Sequence, residues 1–179
     1  WTAPLDQHQY EYLAFARDLP SAFNASEQGT GKTRSALALT LLWGCRRTLV
    51  VCPKSVCGEW ANEAERCGLR SELLLGSRVE KLQRLDPTLR RANPGAYDNL
   101  VDWLQLSRFV ITNYESLHTL LTHFAGQFDS VIFDESWKLK WHRSRVSMAA
   151  RSAIDEIESQ TPCRSCEHLS YERYNPGNN

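Results

Sequence analysis

Apolar runs alternate with amphipathic stretches along most of this chain, and the alternation predicts strands and helices in turn. The run 48–52 is continuously apolar after Thr48 and stops at Pro53, as expected of a central strand that is covered on both faces. We predict strands over 22–25, 48–52, 72–75, 108–112 and 129–133, and helices over 5–17, 55–67, 79–89 and 114–124. Regular alternation of strand and helix requires crossover connections. We therefore expect an α/β fold in three layers, with a mostly parallel central sheet between helices.

A glycine-rich segment between the first predicted strand and a helix-forming stretch has the composition of a phosphate-binding loop. It reads Ser26-Glu27-Gln28-Gly29-Thr30-Gly31-Lys32-Thr33. Gly29 and Gly31 permit a positive φ and let successive N–H groups approach a phosphate chain, while the following helix directs the positive end of its dipole at the same anion. Lys32 is predicted to neutralise the β- and γ-phosphates, and Thr33 to ligate Mg²⁺. The alternative is a tight turn without a ligand.

Two carboxylates follow the last predicted strand. Asp134 and Glu135 come directly after the apolar run 129–133. Because the carboxyl ends of parallel strands form the ligand crevice, both side chains are expected to face the phosphate loop. Asp134 is predicted to hold the metal ion, and Glu135 to orient and deprotonate the attacking water. The alternative is an acidic N-cap of the next helix.

The composition is that of an ordinary globular domain. Its 179 residues suit one domain, and 42% of them are hydrophobic and 23% charged. Lys plus Arg and Asp plus Glu number 21 each, so a nucleic-acid partner must be argued from local patches. No apolar stretch reaches the roughly 18 residues of a membrane span, and the N-terminal segment does not resemble a secretory signal. We expect an intracellular, cytoplasmic protein.

The cysteines are interpreted as reduced thiols that mostly fill the core. Four of the six lie within or beside apolar segments: Cys45, Cys52, Cys57 and Cys67. Cys163, Cys166 and His168 have a spacing that suits zinc, but no second Cys/His pair follows, and a structural zinc site needs four ligands. We expect no zinc site, and a poorly ordered tail over 163–179. The start at Trp1 rather than Met suggests a fragment of a longer protein.

The ordered set of segments resembles the first RecA-like lobe of superfamily 2 DNA helicases and translocases of the Swi/Snf type, which also occur in bacteriophages. The matching segments are 5–9 (glutamine motif), 26–33 (motif I), 49–53 followed by Trp60 (motif Ia), 110–115 (the Ib region) and 131–136 with Lys140 beyond, which resembles the DESHxxK form of the DEAD/DEAH-box motif II. The match covers roughly the first 140 residues, and we expect the lobe to extend over 1–162.

This resemblance implies a RecA-like P-loop NTPase that hydrolyses ATP with Mg²⁺ to move on DNA. It places Gln9 on the adenine edge and gives Lys32, Asp134 and Glu135 the catalytic roles. The nucleotide-binding loop residues that it implies are Glu27, Gln28, Gly29, Thr30, Gly31, Lys32 and Thr33. In the family a second RecA-like lobe supplies arginine fingers, and this chain lacks that lobe. The partners implied are this lobe and duplex DNA, bound without sequence preference.

The chain departs from the family pattern at two places. Trp137 stands where motif II has His, in the contact through which the family couples the γ-phosphate to nucleic acid. Motif III is a Ser/Thr-Gly-Thr-Pro turn after an apolar strand, and its nearest candidate here is 159–162 after the weakly apolar 154–158. Residues after 140 are either divergent or translated from a damaged reading frame.

Two regions are candidates for contact with nucleic acid. In the family the loops after motifs Ia and Ib contact the DNA backbone, and the corresponding residues here are Pro53, Lys54, Ser55, Thr112 and Asn113. The run 138–151 carries five cations, including Arg143 and Arg145, and no acidic residue, with Trp137 and Trp141 interleaved. The alternative for this run is a solvated helix face.

Two functional classes remain open from the sequence. The first is the catalytic lobe of an ATP-driven motor on duplex DNA, which the presence of Lys32, Thr33, Asp134 and Glu135 favours. The second is a nucleotide- and nucleic-acid-binding module that does not hydrolyse ATP, which Trp137 and the missing second lobe favour.

Overall fold

A parallel four-stranded sheet forms the centre of the protein. The computed structural model describes residues 1–76, 107–124, 126–140 and 144–160. The strands are β1 (Thr48–Cys52), β2 (Ser71–Leu74), β3 (Phe109–Asn113) and β4 (Ser130–Phe133). They lie in the order β2-β3-β1-β4, and all three pairings are parallel. Each strand that the structure describes coincides with a predicted strand to within one residue at either end.

Five described helices cover the sheet, together with two short 3₁₀ turns. They are α1 (Gln7–Ala16), α2 (Lys32–Leu42), α3 (Cys57–Arg66), α4 (Tyr114–Phe124) and α5 (Arg145–Gln160), and the 3₁₀ turns are Lys54–Val56 and Ser136–Leu139. The predicted helices over 5–17, 55–67 and 114–124 are confirmed. The predicted helix over 79–89 lies outside the described residues.

Successive side chains of the central strand β1 point into two different cores, as the period of two in a strand requires. Val50 packs with Trp60 of α3 and Leu37 of α2. Leu49 and Val51 pack on the other face, in the core formed with α4 and α5. The arrangement is a three-layer α/β sandwich, and α1 packs on the outside of α2 through a small further cluster.

The topology places the start of α2 at the carboxyl edge of the sheet. Helix α2 is followed within a few residues by β1, so its last turn lies near Thr48 at the amino edge. An 11-residue helix and a five-residue strand have nearly the same length, about 16 Å. The first turn of α2 and the loop before it therefore lie at the edge where β1, β3 and β4 end.

The predicted strand over 22–25 is wrong. This segment is irregular, and Phe23 is 77% exposed instead of packing on the sheet. The Asn24 side-chain oxygen accepts hydrogen bonds from the Ser26 backbone N–H at 3.1 Å and from its hydroxyl at 2.6 Å. Such a local turn satisfies the backbone without a ladder, and it competes with strand pairing.

The segment 154–158, which precedes the nearest candidate for motif III, is helical and not a strand. These residues belong to α5, which continues through Ser159. The reason is the spacing of its apolar residues, which repeats at three and four residues and turns one face toward α4 and the sheet. The residues on this face are Val146, Ala149, Ala150, Ala153 and Ile157.

The predicted reduced state of the described cysteines is confirmed. Cys52, Cys57 and Cys67 are free and buried, and Cys45 is free and half-buried. In the described part of the chain, no group of three metal-binding side chains is present, and no helix has the length and apolar character needed to span a bilayer. Cys163, Cys166 and His168, and the rest of the tail, lie outside the described residues.

Candidate nucleotide-binding site

The backbone of the loop before α2 turns at two glycines. Gly29 and Gly31 adopt φ values of 84° and 73°, and the helix begins at Lys32, directly after the left-handed Gly31. Side chains other than glycine rarely adopt this conformation. At Gly31 a Cβ atom would also overlap the amide nitrogen of Gln9. The positive φ thus favours glycine at position 31, and a larger residue there would also displace the Gln9 side chain.

Two side chains of α1, those of His8 and Gln9, contact backbone carbonyls of the loop. Gln9 is 1% exposed, and its Nε2 donates to the carbonyls of Thr30 and Gly31, at 3.2 Å each. Its Oε1 accepts from the Asp6 backbone N–H at 2.9 Å, which also caps α1. His8 Nε2 lies 2.9 Å from the same Thr30 carbonyl. In this conformation both the nitrogen and the oxygen of the Gln9 amide are hydrogen-bonded within the protein. Contact of Gln9 with an adenine edge stays a prediction.

The ammonium group of Lys32 lies over the loop. Its Nζ donates to the carbonyls of Ser26 at 2.8 Å and of Glu27 at 3.0 Å. Thr30 closes the same turn, since its hydroxyl donates to the Glu27 carbonyl at 2.8 Å. Thr33 is half-buried in the first turn of α2. A positive charge and the N-terminal N–H groups of α2 therefore meet on one loop, which is the arrangement that phosphate groups favour.

The carboxylate of Asp134 is held at the end of β4 by two neighbouring elements. Its backbone N–H donates to the Val51 carbonyl at 2.9 Å, which continues the pairing of β4 with β1 by one residue. The indole Nε1 of Trp60 donates to its Oδ2 at 2.8 Å, and the Tyr114 hydroxyl donates to its backbone carbonyl at 2.6 Å. One carboxylate oxygen of Asp134 thus accepts a hydrogen bond from the protein.

The pKa of the Tyr114 phenol is raised in this environment. Burial raises the pKa of Tyr114, and the negative charge of Asp134 raises it further. The Lys138 ammonium lies 5.9 Å from the centre of the Tyr114 ring and at the same distance from the ring of Trp137. The neutral phenol therefore acts as a hydrogen-bond donor to Asp134 at any physiological pH.

Glu135 has a strained backbone. Its φ and ψ are 52° and 49°, and it is the one residue other than glycine with a positive φ in the described part of the chain. A left-handed conformation at such a residue costs on the order of 1 kcal/mol, and strain of this kind concentrates at functional sites. The Glu135 side chain is exposed at the carboxyl edge of the sheet.

Helix α3 connects the two halves of the site. Glu63 pairs with Arg34 in the first turn of α2, with 2.6 Å between Oε1 and Nε. Trp60, one turn earlier on the same helix, bonds Asp134. Since residues three apart lie on the same side of a helix, one face of α3 contacts both the phosphate-loop helix and the acidic end of β4.

The predicted nucleic-acid residues differ in their exposure. Lys54 and Ser55 are exposed in the turn after β1, whereas Pro53 is buried. Thr112 and Asn113 are buried within β3, and the Thr112 hydroxyl donates to the Leu74 carbonyl at 2.8 Å. The Thr112 side chain is thus fully buried and already bonded within the protein, and contact of this turn with a DNA backbone stays a prediction.

In the cationic run, Arg145 is exposed at the start of α5. Arg143 lies outside the described residues, as does Trp141. Trp137 is 68% exposed, so its ring is on the surface beside the acidic pair.

Three contacts of the site were not predicted from the sequence: the Trp60 indole on Asp134, the Tyr114 hydroxyl on the same residue, and the Arg34–Glu63 pair. Trp60 and Tyr114 were recognised only as members of family motifs. The signal that was available is their chemistry, because a buried Trp or Tyr usually finds a partner for its polar atom.

Comparison with known proteins supports the fold. No protein-family model matches the chain, and no curated protein matches it. Among solved structures it is similar to the "Sulfolobus solfataricus SWI2/SNF2 ATPase core in complex with dsDNA", with a TM-score of 0.63 and 18% sequence identity. The match covers 84% of this chain but only 30% of that chain. At this identity the likeness shows the fold alone: an α/β fold with a parallel central sheet, consistent with a RecA-like fold.

Proposed function

We propose that this chain is the ATP-binding lobe of an ATP-dependent DNA helicase or translocase. The observation that supports the proposal is that two elements lie at the carboxyl edge of the sheet. One is a glycine loop with Lys32 at the start of α2. The other is Asp134, held at the end of β4 with one oxygen left for a ligand. These are the parts that binding a nucleoside triphosphate with its metal ion requires.

The donor set fits Mg²⁺, which prefers hard oxygen ligands. The Thr33 hydroxyl and the Asp134 carboxylate would hold the ion, and Mg²⁺ when bound neutralises charge on the β- and γ-phosphates. The backbone of 27–31 and the Lys32 ammonium would bind the phosphates, in place of the carbonyls that Lys32 now contacts. Glu135 would accept a proton from the attacking water on its exposed carboxylate.

DNA is the second ligand in this proposal. The solved structure with the similar fold is described as a complex with dsDNA, and this chain spans about 30% of its length. The exposed Lys54 and Ser55 suit contact with a phosphate backbone, as does Arg145 together with Arg143. Movement along DNA would require a second RecA-like lobe, which closes the site from the other side.

Nucleotide binding and hydrolysis are tested separately by two variants. Lys32→Ala removes a charge-assisted phosphate contact, so its affinity for a fluorescent ATP analogue should fall at least tenfold. Glu135→Gln keeps the phosphate cradle and should bind the analogue like the parent, but it should abolish DNA-stimulated turnover in a polypeptide that also contains a second lobe. Equal affinity in the parent and Lys32→Ala would refute the site.

The same experiment distinguishes the binding module that does not hydrolyse ATP. The exposed Trp137, in place of a polar residue beside Glu135, is the observation that favours this second candidate. Under it, the two-lobe polypeptide would bind the analogue through Lys32 but show no turnover that Glu135→Gln can remove. Turnover that duplex DNA stimulates and that Glu135→Gln abolishes would exclude it.

A further inference from the structure

The contact between Trp60 and Asp134 joins a buried side chain to the candidate metal ligand. Trp60 is 3% exposed, and its Nε1 donates to Asp134 Oδ2 at 2.8 Å. An indole has a single polar group, which only donates, so its hydrogen-bonding capacity is fully used here. A hydrogen bond to an ionised carboxylate is about twice as strong as one between neutral groups. The rotamer of Asp134 is therefore set by Trp60 rather than by solvent.

The position of the Trp60 indole is fixed by packing. Cys57, Trp60 and Ala64 recur at three and four residues along α3 and are buried against the sheet, next to Val50 and Ile111. Because interiors are close-packed, such an indole cannot swing without displacing its neighbours. The donor is thus held in place before any ligand arrives.

The same helix also fixes the phosphate loop. Glu63 lies three residues after Trp60 and pairs with Arg34, which is two residues after Lys32. Arg34 in addition donates to the Pro4 carbonyl at 3.1 Å, so this side chain has partners on both sides. The face of α3 that carries Trp60 and Glu63 therefore contacts both the first turn of α2 and Asp134.

We propose that Trp60 is a positioning residue for the metal-binding carboxylate: by holding Oδ2 of Asp134 it leaves Oδ1 in place for Mg²⁺, and with Glu63 it sets the spacing between Asp134 and the phosphate loop. The inference rests on the proposed function. Groups that orient a metal ligand typically change metal affinity by 10- to 100-fold when they are removed. Trp60→Phe keeps the aromatic packing and removes the donor.

The first arm of the test observes the contact in the protein without nucleotide. In a ¹H–¹⁵N spectrum each indole N–H of the six tryptophans gives one signal, and Trp60→Phe identifies that of Trp60. Asp134→Asn should shift this signal. The signal of Trp43, whose Nε1 donates to the carbonyls of Ala16 and Arg17 at 3.1 Å each, should not move. Adding Mg²⁺ and a non-hydrolysable ATP analogue to the unmodified protein should also shift the Trp60 signal, and a signal that does not respond to the metal would overturn the proposal.

The second arm measures the metal dependence of nucleotide binding. The Mg²⁺ concentration that gives half of the maximal binding of a fluorescent ATP analogue should rise about 10- to 100-fold in Trp60→Phe. Binding of the analogue in the presence of a chelator should stay at the parent level, which a general loss of structure would not allow. Trp43→Phe is the matched control, since it removes an indole donor from the α1–α2 contact, and its Mg²⁺ dependence should equal that of the parent.

The outcomes separate the two claims. The same Mg²⁺ dependence in the parent and Trp60→Phe would overturn the positioning role and leave the proposed function standing. A parent protein that does not bind the analogue with Mg²⁺ would overturn the proposed function, and this inference with it.

Discussion

The backbone of Glu135 is strained, because a glutamate rarely adopts the left-handed conformation that it has here. Its left-handed conformation follows directly from the end of β4, where the chain turns into the 3₁₀ segment Ser136–Leu139. Only glycine adopts this conformation without a penalty. A glutamate there is expected where chemistry requires the carboxylate, because an unconstrained sequence would use Gly or Asn at this turn.

We predict that Glu135→Gly is more stable than Glu135→Ala by about 1 kcal/mol, because alanine keeps the left-handed penalty and glycine relieves it. Chemical denaturation of the two variants measures the difference. Glycine usually destabilises a protein relative to alanine, so a glycine variant that is more stable than the alanine variant would be informative. Alanine as the more stable variant would mean that the turn relaxes out of the left-handed region.

Tyr114 gives a pH-dependent prediction. Burial and the charge of Asp134 raise the pKa of its phenol above the ordinary value of 10.0. The folded protein thus keeps this proton to a higher pH than the unfolded chain does. The contribution of this shift to the free energy of unfolding is complete below about pH 10. It is lost as the pH rises from there toward the pKa of Tyr114 in the folded protein.

Tyr114→Phe tests this linkage. At neutral pH the variant should lose about 1 kcal/mol, since the hydrogen bond to the Asp134 carbonyl is removed. Above about pH 10 the parent should lose stability more steeply than the variant, so the difference between their free energies of unfolding should shrink. A difference that stays constant across this range would contradict a buried, neutral phenol.

At the scale of single residues, the sequence indicated the candidate phosphate- and metal-binding groups, whose roles stay predictions, but not the side chains that contact them. Gly31 and Lys32 belong to a local pattern, and Asp134 follows a recognisable apolar strand. The partner of Asp134 is Trp60, 74 positions earlier, and this contact exists only once α3 has packed on the sheet. Local patterns do not encode such tertiary contacts.

At the scale of elements, prediction succeeded where the burial of an element matches a simple period. Strand β1 is buried at every position, and its continuous apolar run predicted both of its ends. The strand predicted over 22–25 is wrong because four residues, one of them Asn, carry little periodic information. The hydrogen bond from the Ser26 backbone to the Asn24 side chain stabilises a turn there instead. The segment 154–158 was only weakly apolar as a strand, and its helical period is visible only when 146–157 is considered as a whole.

The contact between α2 and α3 makes a prediction at this scale. Arg34 and Glu63 are largely shielded from solvent, with side chains 28% and 15% exposed. Glu63→Gln should therefore destabilise the protein by about 1 kcal/mol and weaken binding of the ATP analogue, because the phosphate-loop helix loses an anchor. Asp18→Asn is the control, since its pair with Arg17 is exposed and should show no measurable change.

Equal effects of Glu63→Gln and Asp18→Asn on both the free energy of unfolding and the affinity for the ATP analogue would show that the α2–α3 pair does not anchor the loop. The free energy of unfolding and the affinity for the analogue should be measured on the same samples. Loss of affinity for the ATP analogue without loss of stability would still support the anchor, because the anchor concerns the position of the phosphate loop.

At the scale of the whole molecule, the candidate site lies at the carboxyl edge of the sheet. The described lobe presents Lys32, Asp134 and Glu135 at one edge of its sheet, and the similar solved structure is about three times as long as the matched part. In phosphoryl transfer an arginine supplied from another domain contributes roughly 10³–10⁵ in rate. That corresponds to about 4–7 kcal/mol of barrier, which no single local change replaces.

We therefore predict that residues 1–179 bind Mg²⁺ and ATP weakly and hydrolyse ATP near the background rate, with or without DNA. A polypeptide that also contains a second RecA-like lobe should turn over faster and respond to duplex DNA. A phosphate-release assay on both proteins measures this. Robust DNA-stimulated hydrolysis by the 179 residues alone would contradict the account, and a neighbouring copy that supplies Arg143 or Arg145 would then be the first arrangement to examine.

The central claim is that the glycine loop and the acidic end of β4 bind one nucleotide with one metal ion. Mn²⁺ replaces Mg²⁺ at oxygen sites and broadens nearby NMR signals, so substoichiometric Mn²⁺ with an ATP analogue tests the claim most directly. The backbone amide signals of Gly31 to Thr33 and those of Asp134 and Glu135 should broaden first and together. Those of Arg46 and Arg47, which bond Asp129 about one strand length away, should broaden last. Broadening at the loop without broadening at Asp134, or the reverse, would contradict a single site.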